Sequence, residues 1–129
     1  MIEKVKHIGV AVYNIDDTMA QWSVLFGAQE LKRAAFEQVG QTSALVQIGE
    51  TYFELMEPLE GAKHSTVRKF LDTHGEGIHH ISLRSTALAD DVANLDAHGV
   101  RVLGAGAPVV FTHPKTSGGI VYEITEMED

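Results

Sequence analysis

The 129-residue chain contains no cysteine, which excludes disulfides, thiolate catalysis and cysteine-based zinc sites. No apolar run approaches the roughly 20 residues of a membrane-spanning helix, and we expect no signal peptide before the first strand-like segment. Basic residues are few, 10 Lys and Arg against 18 Asp and Glu, which argues against nucleic-acid binding because phosphate neutralisation needs clustered cations. The net negative charge does not exclude binding of an anionic small ligand, since a few local cations can line one pocket. These absences predict a globular cytoplasmic domain that binds neither nucleic acid nor membrane.

An internal repeat is the strongest positive signal in the sequence. The glycine-flanked stretch that leads into His79 and His80 reads as a second copy of the strand-like stretch around His7, and His80 lies 73 residues after His7. The apolar stripe of a predicted helix recurs at the same offset; the equivalent pairs are Ile15 and Leu88, Met19 and Val92, and Trp22 and Leu95. The closing strands also match, with Glu54 equivalent to Glu123 at an offset of 69. Each copy therefore reads strand–helix–strand–strand–strand, or βαβββ.

Apolar periodicity and breaker residues give the predicted elements. The first βαβββ module is predicted over residues 1–57 and the second over residues 77–129, with a connector at 58–76 that contains a short helix. Asn14 and Gly27 are typical of a helix start and a helix end. The predicted elements are a strand at 5–12, a helix at 15–26, three strands within 29–55, a connector helix at 65–74, a strand at 77–84, a helix from 88 to before Gly99, a strand pair within 100–112 and a strand at 119–125. The tail, 126–129, is predicted to be too polar to pack and to fray.

Strand alternation selects four polar side chains from the repeat. Neighbouring residues of a strand point to opposite faces, so His80 shares the face of His7, whereas His79 does not. Glu54 and Glu123 each lie between two apolar residues and point away from the face expected to pack on the helices. Any one of these residues alone is more typical of a hydrogen-bonded side chain on a strand than of a metal ligand. Together, two imidazoles and two carboxylates match a borderline divalent metal: Mn, Fe, Co, Ni or Zn.

The remaining polar candidates are less specific. His113 lies in a loop before the last strand, where it could touch a ligand or only fix the turn. Lys115 follows it and could bind the phosphates of a coenzyme A arm, or be a solvated surface cation; the same alternatives apply to Lys63, Arg68 and Lys69. His64, His74 and His98 lie in polar or helix-end contexts and are expected to be solvated.

Several segments of the chain resemble the vicinal oxygen chelate superfamily, which includes glyoxalase I, extradiol dioxygenases, fosfomycin-resistance proteins and methylmalonyl-CoA epimerases. The local sequence in these segments is most similar to that of the epimerases. The matching segments are HIGVAV (7–12), ELMEPL (54–59), GEGIHHI (75–81) and HPKTSGG (113–119). The resemblance covers nearly the whole chain. It implies an α+β fold in which two βαβββ modules form an open, cupped mixed sheet around one divalent ion.

The resemblance also implies roles for individual residues. The ligands of the family carry over onto His7, Glu54, His80 and Glu123. The implied activity is an epimerase or isomerase that moves the α-proton of an acyl-CoA, or of a similar α-acidic carbonyl compound, through an enolate, with a divalent ion (Co, Mn, Ni, Zn or Fe) as cofactor. Glu123 is the expected catalytic base. Apart from the resemblance, we take His113 and Lys115 as the candidate substrate contacts. We also expect a homodimer, and the two modules could pair either within one chain or across the dimer.

Two segments depart from the epimerase pattern. The loop before the HPK segment is cut to residues 104–108, and this loop borders the pocket in the family. Some epimerases carry a second catalytic glutamate where this chain has Ser43; Glu37 is the nearest carboxylate upstream and is the candidate for that role.

Other activities of the superfamily remain as alternatives. They are a glyoxalase I-type lyase, an extradiol dioxygenase, which would use two histidines and one glutamate with Fe or Mn and leave Glu54 spare, and a metal-free protein that sequesters a drug.

Overall fold

The computed structural model describes residues 1–129 and contains eight strands and three α-helices. The strands are β1 (Ile2–Ala11), β2 (Gln29–Phe36), β3 (Gln41–Ile48), β4 (Thr51–Pro58), β5 (Gly77–Ser85), β6 (Val102–Leu103), β7 (Val109–Thr112) and β8 (Tyr122–Thr125). The helices are α1 (Ile15–Phe26), α2 (Thr66–His74) and α3 (Leu88–Ala97), with a 3-10 turn at Pro114–Thr116. No helix has the length and apolar character needed to cross a membrane.

The strands form one open mixed sheet in the order β2-β3-β4-β1-β5-β8-β7-β6. The pairs β2–β3, β3–β4, β6–β7 and β7–β8 are antiparallel, and β5–β8 is parallel. This architecture confirms the predicted α+β class and the open mixed sheet. The chain divides into two compact units, residues 9–79 and residues 1–8 with 80–129. The assignment of 1–57 and 77–129 as repeated modules stays a prediction.

The unit of residues 9–79 is built on α1, whose two ends behave as predicted. The Asn14 side chain accepts a hydrogen bond of 2.9 Å from the Asp17 amide, and Gly27 ends the helix in a left-handed conformation. Ile15 is fully buried on the sheet, and the half-buried Trp22 packs edge-to-face on Phe53 with a centroid distance of 5.3 Å. The core of this layer comprises Val12, Ile15, Ala28, Ala44, Val46 and Leu55.

The connector helix α2 forms a second small core in the same unit. Ser65 caps it by accepting a hydrogen bond of 3.1 Å from the Arg68 amide. Val67 and Leu71 are buried against Ala11 and Met56.

The unit of residues 1–8 and 80–129 is organised by the parallel pair β5 and β8, in which Ser82 lies opposite Glu123. The last strand is shorter than predicted and begins at Tyr122 rather than Gly119. Residues 114–119 instead form a turn, in which the Gly119 amide donates to the carbonyl oxygen of Pro114 at 2.8 Å. Gly119, which was predicted to begin the strand, ends this turn instead.

The polar tail was wrongly predicted to fray. The carboxylate of Glu128 lies 3.2 Å from Lys4 Nζ and 3.0 Å from Arg84 Nε, and that of Asp129 lies 3.2 Å from Lys6 Nζ. Charged residues can hold a chain end without apolar burial when cations of neighbouring strands face them. The tail is therefore attached to the first and fifth strands of its own unit.

Candidate metal site

Three of the four predicted ligands lie together in the unit of residues 1–8 and 80–129. His7 on β1, His80 on β5 and Glu123 on β8 place their ligand atoms within 4.8 Å of one another. The two Nε2 atoms of the histidines are 3.1 Å apart. Each Nε2 atom is 3.9 Å from an oxygen of Glu123, His7 from Oε1 and His80 from Oε2. The side chains of His7 and His80 are 6% and 4% exposed and that of Glu123 is 18% exposed, so the cluster is largely removed from water.

Strand register explains why these side chains meet. His80 and Ser82 are two residues apart on β5 and therefore point to the same face. The parallel pairing sets Glu123 of β8 opposite Ser82. The imidazole and the carboxylate consequently emerge from neighbouring strands on one face of the sheet.

Two residues that the sequence did not single out contact the cluster. The fully buried Ser82 donates its hydroxyl proton to Oε1 of Glu123 at 2.8 Å. Asp129 accepts from His7 Nδ1, with distances of 2.9 Å to Oδ1 and 3.0 Å to Oδ2. The spacing of Ser82 from His80 indicates that they share a face, but not that Ser82 contacts Glu123, and nothing in the pattern of the tail pointed to Asp129.

The charge of Asp129 is stabilised by its neighbours. Partial burial of this carboxylate acts to raise its pKa, but the hydrogen bonds from His7 and Lys6 and the electrostatic attraction of these two groups outweigh burial and lower the pKa below its ordinary value. Lys6 is itself buried, with its ammonium 3.2 Å from Oδ1 of Asp129. The carboxylate beside His7 is thus held in its ionised form.

The cluster fits a divalent metal by donor chemistry and by the spacing of its two histidines. Two donors bound to one ion at about 2.0–2.1 Å are separated by roughly 2.8–3.4 Å for bond angles between octahedral and tetrahedral values. The 3.1 Å between the two Nε2 atoms lies in this range, whereas the 3.9 Å from each Nε2 atom to an oxygen of Glu123 exceeds it. Two imidazoles and a carboxylate suit Fe, Co, Ni, Mn or Zn and leave positions for water or substrate. His7, His80 and Glu123 could therefore hold such an ion.

The other predicted site residues lie elsewhere in the chain. Glu54 is half-buried on β4, opposite Leu45 of β3, in the unit of residues 9–79. Glu37 is exposed in the turn between β2 and β3 of that unit. The fourth-ligand role of Glu54 and the catalytic role of Glu37 stay predictions.

His113 and Lys115 border the 3-10 turn of residues 114–116. Nδ1 of His113 accepts a hydrogen bond of 3.2 Å from the Lys115 amide, so this imidazole caps the turn. Fixing the turn was one of the two roles that the sequence suggested for His113. The Lys115 side chain is exposed. Their contacts with a substrate stay predictions.

A family model described as glyoxalase/bleomycin resistance protein/dioxygenase superfamily matches residues 6–116. The mitochondrial methylmalonyl-CoA epimerase of Dictyostelium discoideum is 34% identical over 133 residues, covering 97% of this chain and 79% of that protein. An ethylmalonyl-CoA/methylmalonyl-CoA epimerase of Cereibacter sphaeroides is 29% identical over 136 residues, covering 98% and 100%. The structure of a Streptomyces coelicolor methylmalonyl-CoA epimerase variant in complex with 2-nitronate-propionyl-CoA superposes with a TM-score of 0.83 at 28% identity, covering 96% of each chain.

Proposed function

Because the chain belongs to the glyoxalase/bleomycin resistance protein/dioxygenase superfamily, we propose that it is a divalent-metal-dependent epimerase of methylmalonyl-CoA or a closely related acyl-CoA. The observation that carries the proposal is the buried cluster of His7, His80 and Glu123 in a chain whose relatives include methylmalonyl-CoA epimerases. The Streptomyces relative binds a propionyl-CoA analogue, which supports an acyl-CoA substrate. Glu54 is proposed as the fourth ligand on the basis of the internal repeat.

The ion would withdraw negative charge from the carbonyl oxygen as the α-proton leaves, which lowers the pKa of that proton. Glu123 would accept the α-proton. Its Oε1 atom accepts a hydrogen bond from Ser82, so Oε2 is the oxygen better able to take up a proton. Positioned proton transfer of this kind contributes about 10²–10⁴-fold to a rate.

Epimerisation requires that a proton return to the opposite face of the same carbon, so the substrate and product have equal composition. We assign this second transfer to Glu37, or to a water molecule if that carboxylate does not reach the carbon. His113 and Lys115 are proposed substrate contacts, with Lys115 facing the phosphates of coenzyme A. We further propose a cytoplasmic homodimer.

The test is α-proton exchange of methylmalonyl-CoA in deuterated water, followed by mass spectrometry and chiral analysis, with the protein loaded in turn with Co, Mn, Ni, Zn and Fe. We expect deuterium at the α-carbon and interconversion of the two epimers, both abolished in Glu123→Gln. His98→Ala is the matched control, since His98 is exposed and its side chain makes a single hydrogen bond, to the backbone oxygen of Asn94. Absence of exchange with every metal would contradict the proposal.

A second activity is favoured by one specific observation. Two histidines and one carboxylate are the ligand set of many non-haem Fe(II) oxygenases, and His7, His80 and Glu123 are such a set. Oxygen consumption with a catechol by the Fe-loaded protein, without α-proton exchange, would identify an extradiol dioxygenase instead. The names of the relatives favour the epimerase.

A further inference from the structure

Building on the proposed metal site, on which this inference depends, we propose that Asp129 is a positioning residue that fixes the ring tautomer and orientation of His7 for metal binding. Both carboxylate oxygens of Asp129 face Nδ1 of His7, at 2.9 and 3.0 Å. An ionised carboxylate can only accept hydrogen bonds, so Nδ1 must be the donor. In neutral His7 the lone pair then lies on Nε2.

The atom selected by this hydrogen bond is the one that faces the cluster. Nε2 of His7 lies 3.1 Å from Nε2 of His80 and 3.9 Å from Oε1 of Glu123. A histidine whose second nitrogen donates to a carboxylate is held in the tautomer and orientation that a metal requires, and it is a more basic ligand. Asp129 therefore acts through His7 and does not itself enter the cluster.

The position of Asp129 is itself secured by charge. Its Oδ1 atom lies 3.2 Å from Nζ of Lys6, a buried ammonium on the same strand as His7. The preceding residue, Glu128, is held by Lys4 at 3.2 Å and Arg84 at 3.0 Å. Three cations thus pair with two consecutive acidic residues, so the carboxylate beside His7 is part of a network of ion pairs.

The test compares Asp129→Ala with Glu128→Ala, which removes the neighbouring carboxylate and two surface ion pairs but leaves the contact with His7. The first readout is the ¹⁵N NMR spectrum of the His7 ring in the metal-free protein, under alkaline conditions in which imidazoles are neutral. We expect the wild type and Glu128→Ala to carry the ring proton on Nδ1, and Asp129→Ala to shift toward the Nε2 tautomer.

The second readout is Co²⁺ affinity by calorimetric titration. Loss of a carboxylate that accepts a hydrogen bond from a metal-binding histidine typically weakens metal binding by about 10–100-fold. We expect this loss for Asp129→Ala but not for Glu128→Ala. Because Asp129→Ala leaves Lys6 buried without a carboxylate and could unfold, Asp129→Asn is measured as well. It keeps an oxygen acceptor for Nδ1, and we expect a smaller loss of affinity than in Asp129→Ala.

The outcomes separate this inference from the proposed function. Wild-type protein that binds Co²⁺, with unchanged tautomer and affinity in both Asp129 variants, overturns the positioning role and leaves the metal site standing. Wild-type protein that binds no Co²⁺ or other divalent ion overturns both.

Discussion

Replacing Gly40 with alanine is expected to destabilise the protein through a steric clash that the structure locates. Gly40 lies in the turn before β3 with a φ of +67°. A Cβ atom at this position would lie 2.0 Å from the backbone oxygen of His64 and 3.0 Å from Cα of Ser65, the residue that caps α2. The Gly40 oxygen also accepts a hydrogen bond of 2.9 Å from the Leu59 amide. The connector and the turn therefore cannot separate without losing backbone contacts.

The magnitude follows from comparison with Gly27→Ala. Gly27 has a φ of +69°, nearly that of Gly40, but a Cβ there would meet nothing within 4 Å. The left-handed conformation costs a non-glycine residue about 1–2 kcal/mol in either variant. The clash adds the cost of overpacking, about 1–3 kcal/mol, only at Gly40. We therefore expect Gly27→Ala to lower the free energy of unfolding by about 1–2 kcal/mol and Gly40→Ala by about 2–5 kcal/mol.

Urea denaturation followed by the fluorescence of Trp22, the single tryptophan, measures both variants. Trp22 packs on Phe53 in the same unit as both glycines, so its emission reports on the unit that is perturbed. Equal losses of stability in the two variants would show that the backbone of His64 does not approach Gly40 as described.

Two further predictions concern the site and the first helix. Ser82→Ala removes the 2.8 Å hydrogen bond to Glu123 and is expected to weaken Co²⁺ binding by about 10–100-fold in a calorimetric titration. Ser85→Ala, which removes another fully buried hydroxyl of β5, one bonded to Asp91, should lower stability without this loss; equal Co²⁺ affinities in the two variants would refute a role for Ser82 at the site. Asn14→Ala removes the cap of α1 and is expected to lower the free energy of unfolding by about 1 kcal/mol in urea denaturation. An unchanged free energy of unfolding would contradict the role of Asn14 as a stabilising cap.

Much of the fold could be predicted because its signals are local. The apolar spacing, the cap at Asn14 and the left-handed Gly27 define α1 from neighbouring residues alone. The face shared by His7 and His80 follows from strand alternation and the repeat, and the structure brings the two imidazoles together. These inferences needed no knowledge of which strands pair.

The contacts that sequence reasoning missed depend on pairing between distant segments. Ser82 contacts Glu123 because β5 and β8 are parallel neighbours, a fact that periodicity does not contain. Asp129 reaches His7 across 122 residues of chain, and a polar tail has no period that would indicate its partner. A compositional rule assigns such a tail to solvent, whereas here Lys6 and His7 supply specific contacts that hold it.

The most direct test of the account is the metal content of the purified protein after equilibrium dialysis against Co²⁺, measured by elemental analysis beside His80→Ala and His98→Ala. If His7, His80 and Glu123 bind one shared ion, the wild type and His98→Ala will each retain about one ion per chain, the stoichiometry of a single metal site. His80→Ala will bind Co²⁺ more weakly by over 100-fold, which is roughly the largest loss caused by removing a residue that only hydrogen-bonds a metal ligand. Wild-type protein without bound metal, or His80→Ala with the full complement, would contradict the account.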